Sequence, residues 1–438
     1  MKSGIRLFSA AIVSAGVATQ AVADDHSAKP ADALIGIEGQ AIVSIHDGDM
    51  LASAYINGQL GPRESEDILS VLSLTNFGFA SVPVSNSVAG APTAVAVTPD
   101  GNYAVVSESF GPRPDDGERF SDLPIGTLLT LIDISDHANP TVVDTVETGR
   151  RLDGLSLSPD GSMIAVALHQ TDGRGMAFVE LNGAEFGAVS HASLPAIADT
   201  QRISHVEWHP SQDFLAIHAV DQSVIHFARI NREGGAVALE AWGNPVRTSK
   251  YPFMGRFTPD GSHYLTGNLY WGPDVPGIWA EAVDGDVMSI RFVSEASGDT
   301  PPRHQIVGRA MTGVSPEGIA ISPDGEWAVS TNLEVSYAPA DDTRYTPYSS
   351  LTLIDIDTET GNLTTVGTYY YDGILPEAAT FDASGRYVAV VNYDQHVGGS
   401  TGGSIDFWRL VAGDSPKLVK TRTSIQVPHG PHSMALVN

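Results

Sequence analysis

The sequence predicts an all-β protein, a seven-bladed β-propeller with four-stranded blades whose ring is closed by the C-terminal strand. Three observations lead to this prediction: apolar residues alternate with period two along most of the chain, no long amphipathic helix pattern is present, and one short cassette recurs. The cassette is an apolar run, then Ser or Thr followed by Pro-Asp-Gly, then a second apolar run that often ends in Asn. Clear copies occupy residues 92–101, 152–161, 253–261 and 316–325, and degenerate copies occupy residues 204–212 and 376–385.

Each cassette is typical of a β-hairpin. Proline presets one turn residue and glycine supplies the positive φ, so Pro-Asp-Gly between two apolar runs predicts a tight turn. A second pair of apolar segments follows, as at residues 351–356 and 363–369. Each repeat therefore holds four strands, named A before the Pro-Asp-Gly, B after it, then C and D. The spacing of about 50–60 residues is that of propeller blades, whose radial arrangement leaves only short, protected sheet edges.

The six cassettes account for six blades, and the N-terminal region supplies the seventh. Residues 51–56 are expected to form its strand B and residues 68–74 its strand C. Residues 431–437 match a strand A with nothing after it, so the simplest closure inserts them into the N-terminal blade. In an alternative, residues 41–45 form strand A of that blade, and the C-terminal strand is surplus or begins an eighth blade.

The N-terminus has the features of a secretory signal peptide. Lys2 and Arg6 are basic, residues 7–18 are an apolar stretch too short to span a bilayer, and residues 21–23 form an Ala-Val-Ala cleavage site. A short N-terminal helix is the structural alternative. We predict a signal peptide over 1–23, a flexible lead-in over 24–33 and one propeller domain over 34–438, in a periplasmic or secreted protein.

The composition excludes several classes of function. The chain has no cysteine, which rules out disulfides, thiolate metal sites and cysteine nucleophiles. Removing the leader lowers the Lys plus Arg count from 24 to 22 against 52 Asp plus Glu, a net charge of −30. Such a surface repels nucleic acid and anionic lipid. We expect a monomer with no membrane span, whose partner is a small polar organic ligand or another protein.

Several segments resemble known propeller repeats. Residues 131–140 are similar to the Leu-Val-Ile-Val-Asp repeat, and residues 430–438 resemble the closing strand of seven-bladed propeller lactonases. Three strand ends look like the related Tyr-Val-Thr-Asn repeat: Thr331-Asn332, Val391-Asn392 and Asn268. The lactonase family includes 6-phosphogluconolactonase and fungal carboxymuconate-lactonising enzymes.

The resemblance covers most of the mature chain and implies the propeller fold and a lactonase-like activity. The family's His/Arg/Glu catalytic set has no residue-by-residue match in this sequence. Export also separates the chain from phosphogluconate chemistry, which is cytosolic. The expected substrate is therefore a lactone or cyclic ester other than a sugar phosphate.

One repeat position is expected to ring the mouth of the central channel. In a propeller the loops that enter strand A and leave strand B lie on the same face. The residues six before each cassette proline, with their equivalent in the C-terminal strand, are Thr93, Asp153, Ser204, Phe253, Glu317, Glu377 and His432. Arg151 and Arg202 lie just upstream of this position. Three strands B end on the same face in asparagine, at Asn268, Asn332 and Asn392.

Four long loops between strands B and C open on that face. They span residues 109–126, 269–285, 333–350 and 393–403. Their aromatic residues include Trp271 and Tyr345. Long loops on a rigid scaffold commonly carry binding sites, and aromatic side chains beside carboxylates and arginines suit a sugar-like or other polar organic ligand. The strand-end asparagines have a structural alternative, which is to cap the loop backbone.

The carboxylates of Asp153, Glu317 and Glu377 repel one another unless they are protonated, paired or bridged by a cation. Three interpretations follow. The arginines pair with the carboxylates, a Ca²⁺ or Mg²⁺ bridges them, or they act with His432 as acid/base catalysts.

The function that these features favour is hydrolysis of a lactone or similar cyclic ester at the channel mouth of an exported protein. In this interpretation His432 or Glu317 is the general base on water, with Glu377 in the same catalytic group. Arg151 or Arg202 stabilises the developing oxyanion. The alternative is a non-catalytic propeller that binds a small ligand or a protein partner in the periplasm or outside the cell, because one fold hosts many functions.

Overall fold

The computed structural model describes residues 36–169, 175–198, 200–233, 236–271, 283–395 and 402–438. Seven antiparallel sheets, each with four main strands, form blades around a central channel, which confirms the predicted seven-bladed β-propeller. The predicted signal peptide and lead-in lie outside the described residues. No helix in the described part of the chain is long and apolar enough to cross a membrane.

Strands are numbered along the chain, and each blade runs from an inner strand A to an outer strand D. The N-terminal region gives blade 1 the strands β1 (Ala41–His46), β2 (Ile68–Ser73) and β3 (Phe79–Pro83). Blade 2 contains β4 (Val95–Val97), β5 (Tyr103–Ser107), β6 (Leu128–Asp133) and β7 (Thr141–Glu147). Blade 3 contains β8 (Leu152–Leu157), β9 (Met163–Leu168), β10 (Met176–Asn182) and β11 (Glu185–Ala192). Blade 4 contains β12 (Ile203–Trp208), β13 (Phe214–Ala219), β14 (Val224–Glu233), β15 (Ala236–Ala241) and the short β16 (Val246–Arg247).

The second half of the ring repeats the pattern. Blade 5 contains β17 (Pro252–Phe257), β18 (His263–Asn268), β19 (Asp284–Arg291) and β20 (Gln305–Val314). Blade 6 contains β21 (Pro316–Ile321), β22 (Trp327–Asn332), β23 (Ser349–Ile356) and β24 (Leu363–Tyr371). A two-stranded ribbon, β25 (Gly373–Ile374) with β28 (Asp394–Gln395), flanks blade 7, which contains β26 (Ala379–Phe381), β27 (Tyr387–Asn392), β29 (Gly403–Val411) and β30 (Lys417–Val427). The last strand is β31 (Pro431–Val437), and the helical pieces are α1 (Ala54–Asn57) and the 3₁₀ turns Phe120–Asp122 and Val220–Gln222.

The ring is closed by the C-terminal strand. β31 pairs with β1 and is strand A of blade 1, as predicted, so the two ends of the chain share one sheet. The prediction for strand B of this blade was wrong. Residues 51–56 hold the start of α1, and β1 takes the strand B position between β31 and β2. The alternative in which residues 41–45 form a strand A, with a surplus C-terminal strand or an eighth blade, is therefore excluded.

The Pro-Asp-Gly cassettes form the predicted turns between strands A and B. In blade 2, Gly101 has a φ of 74°, in the left-handed region that favours glycine. The Thr98 hydroxyl donates to Asp100 Oδ1 at 2.6 Å and accepts from the backbone N–H of Tyr103 at 3.0 Å. The Ser or Thr before the proline thus ties the turn to the start of strand B, and this contact recurs because the sequence recurs.

The blades pack on one another through their apolar faces. Between blades 2 and 3, for example, Val105, Leu131, Ile164 and Val179 are buried in one cluster. The second strand of blade 3, β9, is buried along its whole length, whereas the outer strand β7 is mostly exposed. Because apolar side chains are tightly packed between neighbouring blades, the seven strands A are held in place around the channel. The residues at the starts of these strands are therefore held in a rigid ring.

Candidate functional site

The two ends of the central channel differ in size and lining. At one end, an opening of about 590 Å³ is lined by the C-terminal halves of the strands A and holds an ion pair, with Arg256 Nη1 2.9 Å from Glu207 Oε2. At the other end, a cavity of about 200 Å³ lies where strands A begin and the B-to-C loops meet. We call this second space the mouth cavity. Its arginine and glutamate residues are Arg151, Arg202, Glu317 and Glu377.

Aromatic and aliphatic side chains make up most of the remaining wall of the mouth cavity. They include Tyr55, Phe120, Tyr251, Phe253, Trp271, Leu333, Tyr337 and Leu375. Pockets for drug-sized ligands have volumes of about 300–1,000 Å³. The mouth cavity is smaller, so it suits a single-ring molecule that offers both an apolar face and a few polar atoms.

A left-handed backbone turn precedes strand A in five of the seven blades. It lies two residues before the predicted mouth position, at Arg151 (φ 52°), Tyr251 (60°), Ser315 (54°), Leu375 (48°) and Gly430 (84°). In a residue other than glycine, this conformation costs about 1–3 kcal/mol. Three of these residues, Arg151, Tyr251 and Leu375, line the mouth cavity, and the Ser315 hydroxyl accepts a 2.8 Å hydrogen bond from Trp271 Nε1. The strained turn thus recurs where the chain builds the cavity wall.

Glu317 and Glu377 occupy the same repeat position in blades 6 and 7. Their side chains are 3% and 1% exposed, and Oε2 of each has no hydrogen-bond partner among the described residues. The backbones approach closely because Gly318 lacks a side chain, and a Cβ there would lie 2.3 Å from the Glu377 carbonyl oxygen.

The pKa values of both glutamates are raised. Burial raises the pKa of Glu317 to about 8, although the Arg202 guanidinium opposes the shift. Burial, then the nearby Glu317 and Asp47 carboxylates, raise the pKa of Glu377 well above its usual value. Two adjacent carboxyl groups with raised pKa values hold at least one proton at neutral pH. The pair can therefore both accept and donate a proton.

Arg202 is held by a buried polar network. Its Nε lies 3.1 Å from Asp153 Oδ2, and its Nη1 donates to the Tyr251 hydroxyl at 2.8 Å. His169 Nδ1 also lies 3.1 Å from Asp153 Oδ2. Burial would raise the pKa of Asp153, but Arg202 and the hydrogen bond to His169 outweigh it and hold the pKa below its usual value. Asp153 therefore stands behind the cavity wall as the counter-ion of Arg202.

The Arg151 guanidinium has fewer hydrogen-bond partners than that of Arg202 among the described residues. Its guanidinium carbon lies 4.7 Å from the centroid of the Phe110 ring, a cation–π distance. Its Nε is buried and has no hydrogen-bond partner in the part of the chain that the structure describes. Burial lowers the pKa of Arg151 against the attraction of Asp153. An N–H group of this kind is suited to donate to an oxygen of a bound molecule.

His432 is at the predicted repeat position but does not line the mouth cavity. Its Nε2 lies 2.7 Å from Oδ1 of Asn86, and the side chain is 1% exposed. Burial and, to a smaller extent, His46 lower the pKa of His432 to about 3. The ring is therefore neutral at physiological pH, and it links strand A of blade 1 to the segment that leads into blade 2.

The strand-end asparagines also lie outside the cavity lining. All three are buried, and each donates its side-chain amide to strand C of its own blade. The acceptors are Asp286 Oδ1 for Asn268 at 2.7 Å, Ser350 Oγ for Asn332 at 2.9 Å and Ser404 Oγ for Asn392 at 3.0 Å. Of the two loop aromatics, Trp271 lines the cavity, whereas Tyr345 packs behind it on the cluster that contains Leu333 and Tyr337.

The three predicted mouth carboxylates do not form one group. Asp153 is paired with Arg202, whereas Glu317 and Glu377 face the cavity. In the described ranges, these three do not bring ligand oxygens close enough together to share a cation. Of the three interpretations, pairing with arginine is therefore the one that describes Asp153.

Sequence reasoning missed three tyrosines of the mouth cavity. Tyr55 lies on α1, inside the segment that was assigned to a strand. Tyr337 comes from the long B-to-C loop of blade 6, which holds several aromatic residues that no sequence pattern distinguishes. Tyr251 could have been found, since it is two residues before Phe253, the same offset that separates Arg151 from Asp153.

The fold has counterparts among solved structures. The periplasmic gluconolactonase PpgL of Pseudomonas aeruginosa is 17% identical, with a TM-score of 0.60 over 91% of this chain and 99% of that chain. A protein from Bacteroides fragilis, provisionally assigned as a 6-phosphogluconolactonase, is 14% identical, with a TM-score of 0.57 over 91% and 98%. A similarly assigned protein from Bacteroides uniformis is 16% identical, with a TM-score of 0.57 over 91% and 100%.

No protein-family model matches the sequence, and no curated protein matches it either. At identities below one in five, the structural likeness establishes the fold and not the chemistry. The expectation from the repeat segments is confirmed at that level, because these neighbours are lactonase-type propellers. The chain has the seven-bladed β-propeller fold that these proteins share.

Proposed function

We propose that this protein is an exported hydrolase that opens a lactone, or a similar small cyclic ester, in the mouth cavity. The observation that carries the proposal is the pair Glu317 and Glu377, two buried carboxyl groups with raised pKa values in an aromatic-lined cavity that also contains two arginines. Strongly shifted carboxyl pKa values in a cavity are characteristic of acid/base catalysis.

The two glutamates are suited to opposite roles. We assign Glu317 as the general base on water, because the Arg202 guanidinium favours its carboxylate, whereas the neighbouring Glu317 and Asp47 carboxylates disfavour a charge on Glu377. Water attacks the carbonyl carbon while its proton moves to the Glu317 carboxylate. The ring C–O bond then breaks, and protonated Glu377 delivers its proton to the departing alkoxide oxygen. The product is the open-chain hydroxy acid.

The arginines provide the positive charge for the tetrahedral intermediate. Arg151 has a buried Nε–H without a partner among the described residues, so it can donate to the developing oxyanion. Arg202 is committed to Asp153 and Tyr251 and acts at the cavity wall as a fixed positive charge. Of the two arginines that the sequence suggested for this role, Arg151 is the better placed.

Glu317 is also a better candidate base than His432. The His432 ring nitrogen Nε2 is engaged with Asn86, and the residue does not line the cavity. Its pKa of about 3 makes it a weak base. We assign His432 a structural part in closing the ring, and no part in the reaction.

The proposal is tested by incubating the purified protein with glucono-1,5-lactone and with γ-butyrolactone. A pH indicator measures the acid that hydrolysis releases, and the spontaneous rate of hydrolysis is subtracted. We expect turnover that increases as the pH approaches about 8, because Glu317 must be deprotonated while Glu377 keeps its proton. Glu317→Gln should abolish the increase. The matched control is Glu334→Gln. Glu334 is a buried glutamate of the same blade that does not line the mouth cavity, and its Oε1 accepts a hydrogen bond from the Ser350 hydroxyl.

The result decides between the two functions considered for this fold. A lactone that raises the melting temperature without being hydrolysed would contradict catalysis and favour the ligand-binding alternative. Equal turnover in the wild type and in Glu317→Gln would contradict the assignment of the base.

Export is part of the proposal and has two supports. The N-terminal 23 residues have the basic, apolar and small-residue regions of a signal peptide. The P. aeruginosa structural neighbour is a periplasmic protein.

A further inference from the structure

Three aspartates lie together at the base of the B-to-C loop of blade 1. Asp47 directly follows β1, Asp67 directly precedes β2, and the pairing of His46 with Ile68 sets these two side by side. Asp49 lies two residues further along the loop. One carboxylate oxygen from each residue falls in a group whose members all lie within 4.8 Å of one another. None of these residues lines the mouth cavity.

Several oxygens around this cluster have no hydrogen-bond donor. Asp47 is 3% exposed, and its Oδ2 accepts from the Val88 N–H at 3.0 Å, but its Oδ1 has no partner among the described residues. The hydroxyls of Ser65 and Ser85 are likewise buried and unpartnered. Both serines line, with Asp49 and Asp67, a cavity of about 270 Å³. Unsatisfied buried oxygens beside a carboxylate cluster indicate a missing electropositive partner.

The nearest arginines, Arg63 and Arg113, line the same cavity, but the hydrogen bonds that they donate within the described residues go to backbone carbonyl oxygens. Arg113 donates to the carbonyl oxygens of Asp49 at 2.5 Å and Gly61 at 2.9 Å, and Arg63 donates to the carbonyl of Arg113 at 2.8 Å. No salt bridge joins either arginine to the three carboxylates in the described ranges. The charges of Arg63 and Arg113 act on Asp49 from a distance, but neither guanidinium is paired with the three carboxylates.

We propose that Asp47, Asp49 and Asp67 bind a calcium ion, with the Ser65 and Ser85 hydroxyls among its additional oxygen donors. The donor set is all oxygen, which favours a hard cation over zinc or copper. Carboxylates, hydroxyls and water in a loop suit Ca²⁺, which accepts six to eight oxygens in a flexible geometry, whereas Mg²⁺ requires a near-ideal octahedron.

The calcium ion would brace one wall of the mouth cavity. The loop between Asp47 and Asp67 carries α1, from which Tyr55 reaches the cavity. Val88, whose N–H is bonded to Asp47, lines the same cavity. A cation that fixes the two ends of the loop would therefore fix Tyr55 and Val88 relative to the rest of the wall. This inference does not depend on lactone hydrolysis and holds for any ligand of the cavity.

Calcium binding is tested on the full-length mature protein after chelation with EDTA and dialysis. Titration with CaCl₂ in a calorimeter should show one ion per chain, and CaCl₂ should raise the melting temperature more than MgCl₂ does. Asp49→Asn and Asp67→Asn should remove the response to CaCl₂. Both variants should melt cooperatively without calcium, at or above the temperature of the calcium-free wild type, because each removes a repelling charge. Asp299→Asn, an exposed aspartate elsewhere, is the matched control and should keep the response.

Three results would overturn the proposal. One is the absence of heat and of a thermal shift at about 10 mM CaCl₂, which is above the dissociation constants of about 0.1–1 mM found in the weaker extracellular calcium modules. Another is a full calcium response in both aspartate variants. The third is a response to MgCl₂ equal to that to CaCl₂. Asp67 accepts hydrogen bonds from the backbone N–H groups of Gly48 and Asn86, so Asp49→Asn is expected to fold even if Asp67→Asn does not.

Discussion

At the scale of single residues, the ion pair between Asp153 and Arg202 is the contact on which the cavity wall depends. Asp153 is fully buried and Arg202 is 15% exposed, so neither charge is hydrated to any large extent. Breaking a buried pair by removing one partner leaves an uncompensated charge in the interior and costs about 3–5 kcal/mol. Asp153 Oδ1 has no hydrogen-bond partner among the described residues, so without Arg202 the carboxylate would keep only the contact of its Oδ2 with His169.

We expect Arg202→Met to lower the melting temperature markedly. The double variant Asp153→Asn with Arg202→Met should recover part of the loss, because the orphaned charge is then also gone. Scanning calorimetry of the wild type, both single variants and the double variant measures the coupling between the two residues. Additive effects of the two substitutions would show that the pair does not act as a unit.

The pH dependence of stability gives a second residue-scale prediction. The pKa of Glu317 is raised from an ordinary value of 4.5 to about 8, so the folded protein binds a proton that the unfolded chain has released over that range. The free energy of unfolding therefore falls as the pH rises from about 4.5 to about 8, by up to about 1.4 kcal/mol per pH unit for one proton. Glu317→Gln removes this contribution.

Melting temperatures of the wild type and of Glu317→Gln across this pH range provide the measurement. We expect the variant to gain stability relative to the wild type as the pH increases. The exposed Glu359→Gln is the control and should run parallel to the wild type. A constant difference between Glu317→Gln and the wild type at every pH would refute a raised pKa at this position.

At the scale of structural elements, β31 holds the ring together. It pairs with β1 from Ala41 to His46 and so supplies the inner strand of blade 1 from the far end of the chain. Its side chains also reach blade 2, since the Ser433 hydroxyl donates to the carbonyl oxygen of Pro92 at 3.0 Å. Without β31, blade 1 would present an open edge to the channel, with unpaired N–H and C=O groups.

We expect deletion of residues 431–438 to cause aggregation or a large loss of stability, observed as loss of a cooperative melting transition. Deletion of Asn438 alone is the control, because this exposed residue lies beyond the end of β31. A truncated protein that melts cooperatively at the wild-type temperature would show that the other six blades and β1 to β3 close the ring unaided.

The left-handed turns before the strands A show where sequence reasoning about elements stops. Glycine marks such a turn only at Gly430, whereas Arg151, Tyr251, Ser315 and Leu375 adopt it without that signal. No local sequence pattern marks the conformation at these four positions. The strain is tolerated because the packed blades on either side leave the chain no other path.

At the scale of the whole molecule, the fold was predictable because one local rule is repeated. Every Pro-Asp-Gly turn forms the same hairpin, and six copies fix the architecture even where single copies are degenerate. The N-terminal blade lacks the cassette, and there the prediction of strand B was wrong. Residues 51–56 alternate as a strand does, but tertiary packing at the mouth folds part of them into α1, which covers the cavity with Tyr55.

The site was predictable only in part, for a related reason. Repeat arithmetic placed Glu317 and Glu377 at the mouth, because strand register is shared by all blades. The same arithmetic cannot distinguish them from Asp153 or His432. The difference lies in which partner stands opposite: Arg202 for Asp153 and Asn86 for His432. Arginine pairing was open for all three carboxylates, and Asn86 lies far from His432 in sequence, so only the assembled ring shows which residue has which partner.

The predicted signal peptide covers residues 1–23, which lie outside the described residues. The first described strand begins at Ala41, so cleavage after Ala23 removes no described strand and no described contact. We expect the exported protein to begin at Asp24 and to melt at the same temperature as the uncleaved chain. Intact-mass spectrometry of the periplasmic or culture fraction locates the new N-terminus, and calorimetry compares the two forms. Ala23→Arg should block cleavage, because the enzyme that removes signal peptides requires small residues at Ala21 and Ala23. An exported wild-type protein that still begins at Met1 would contradict the assignment of residues 1–23 as a leader.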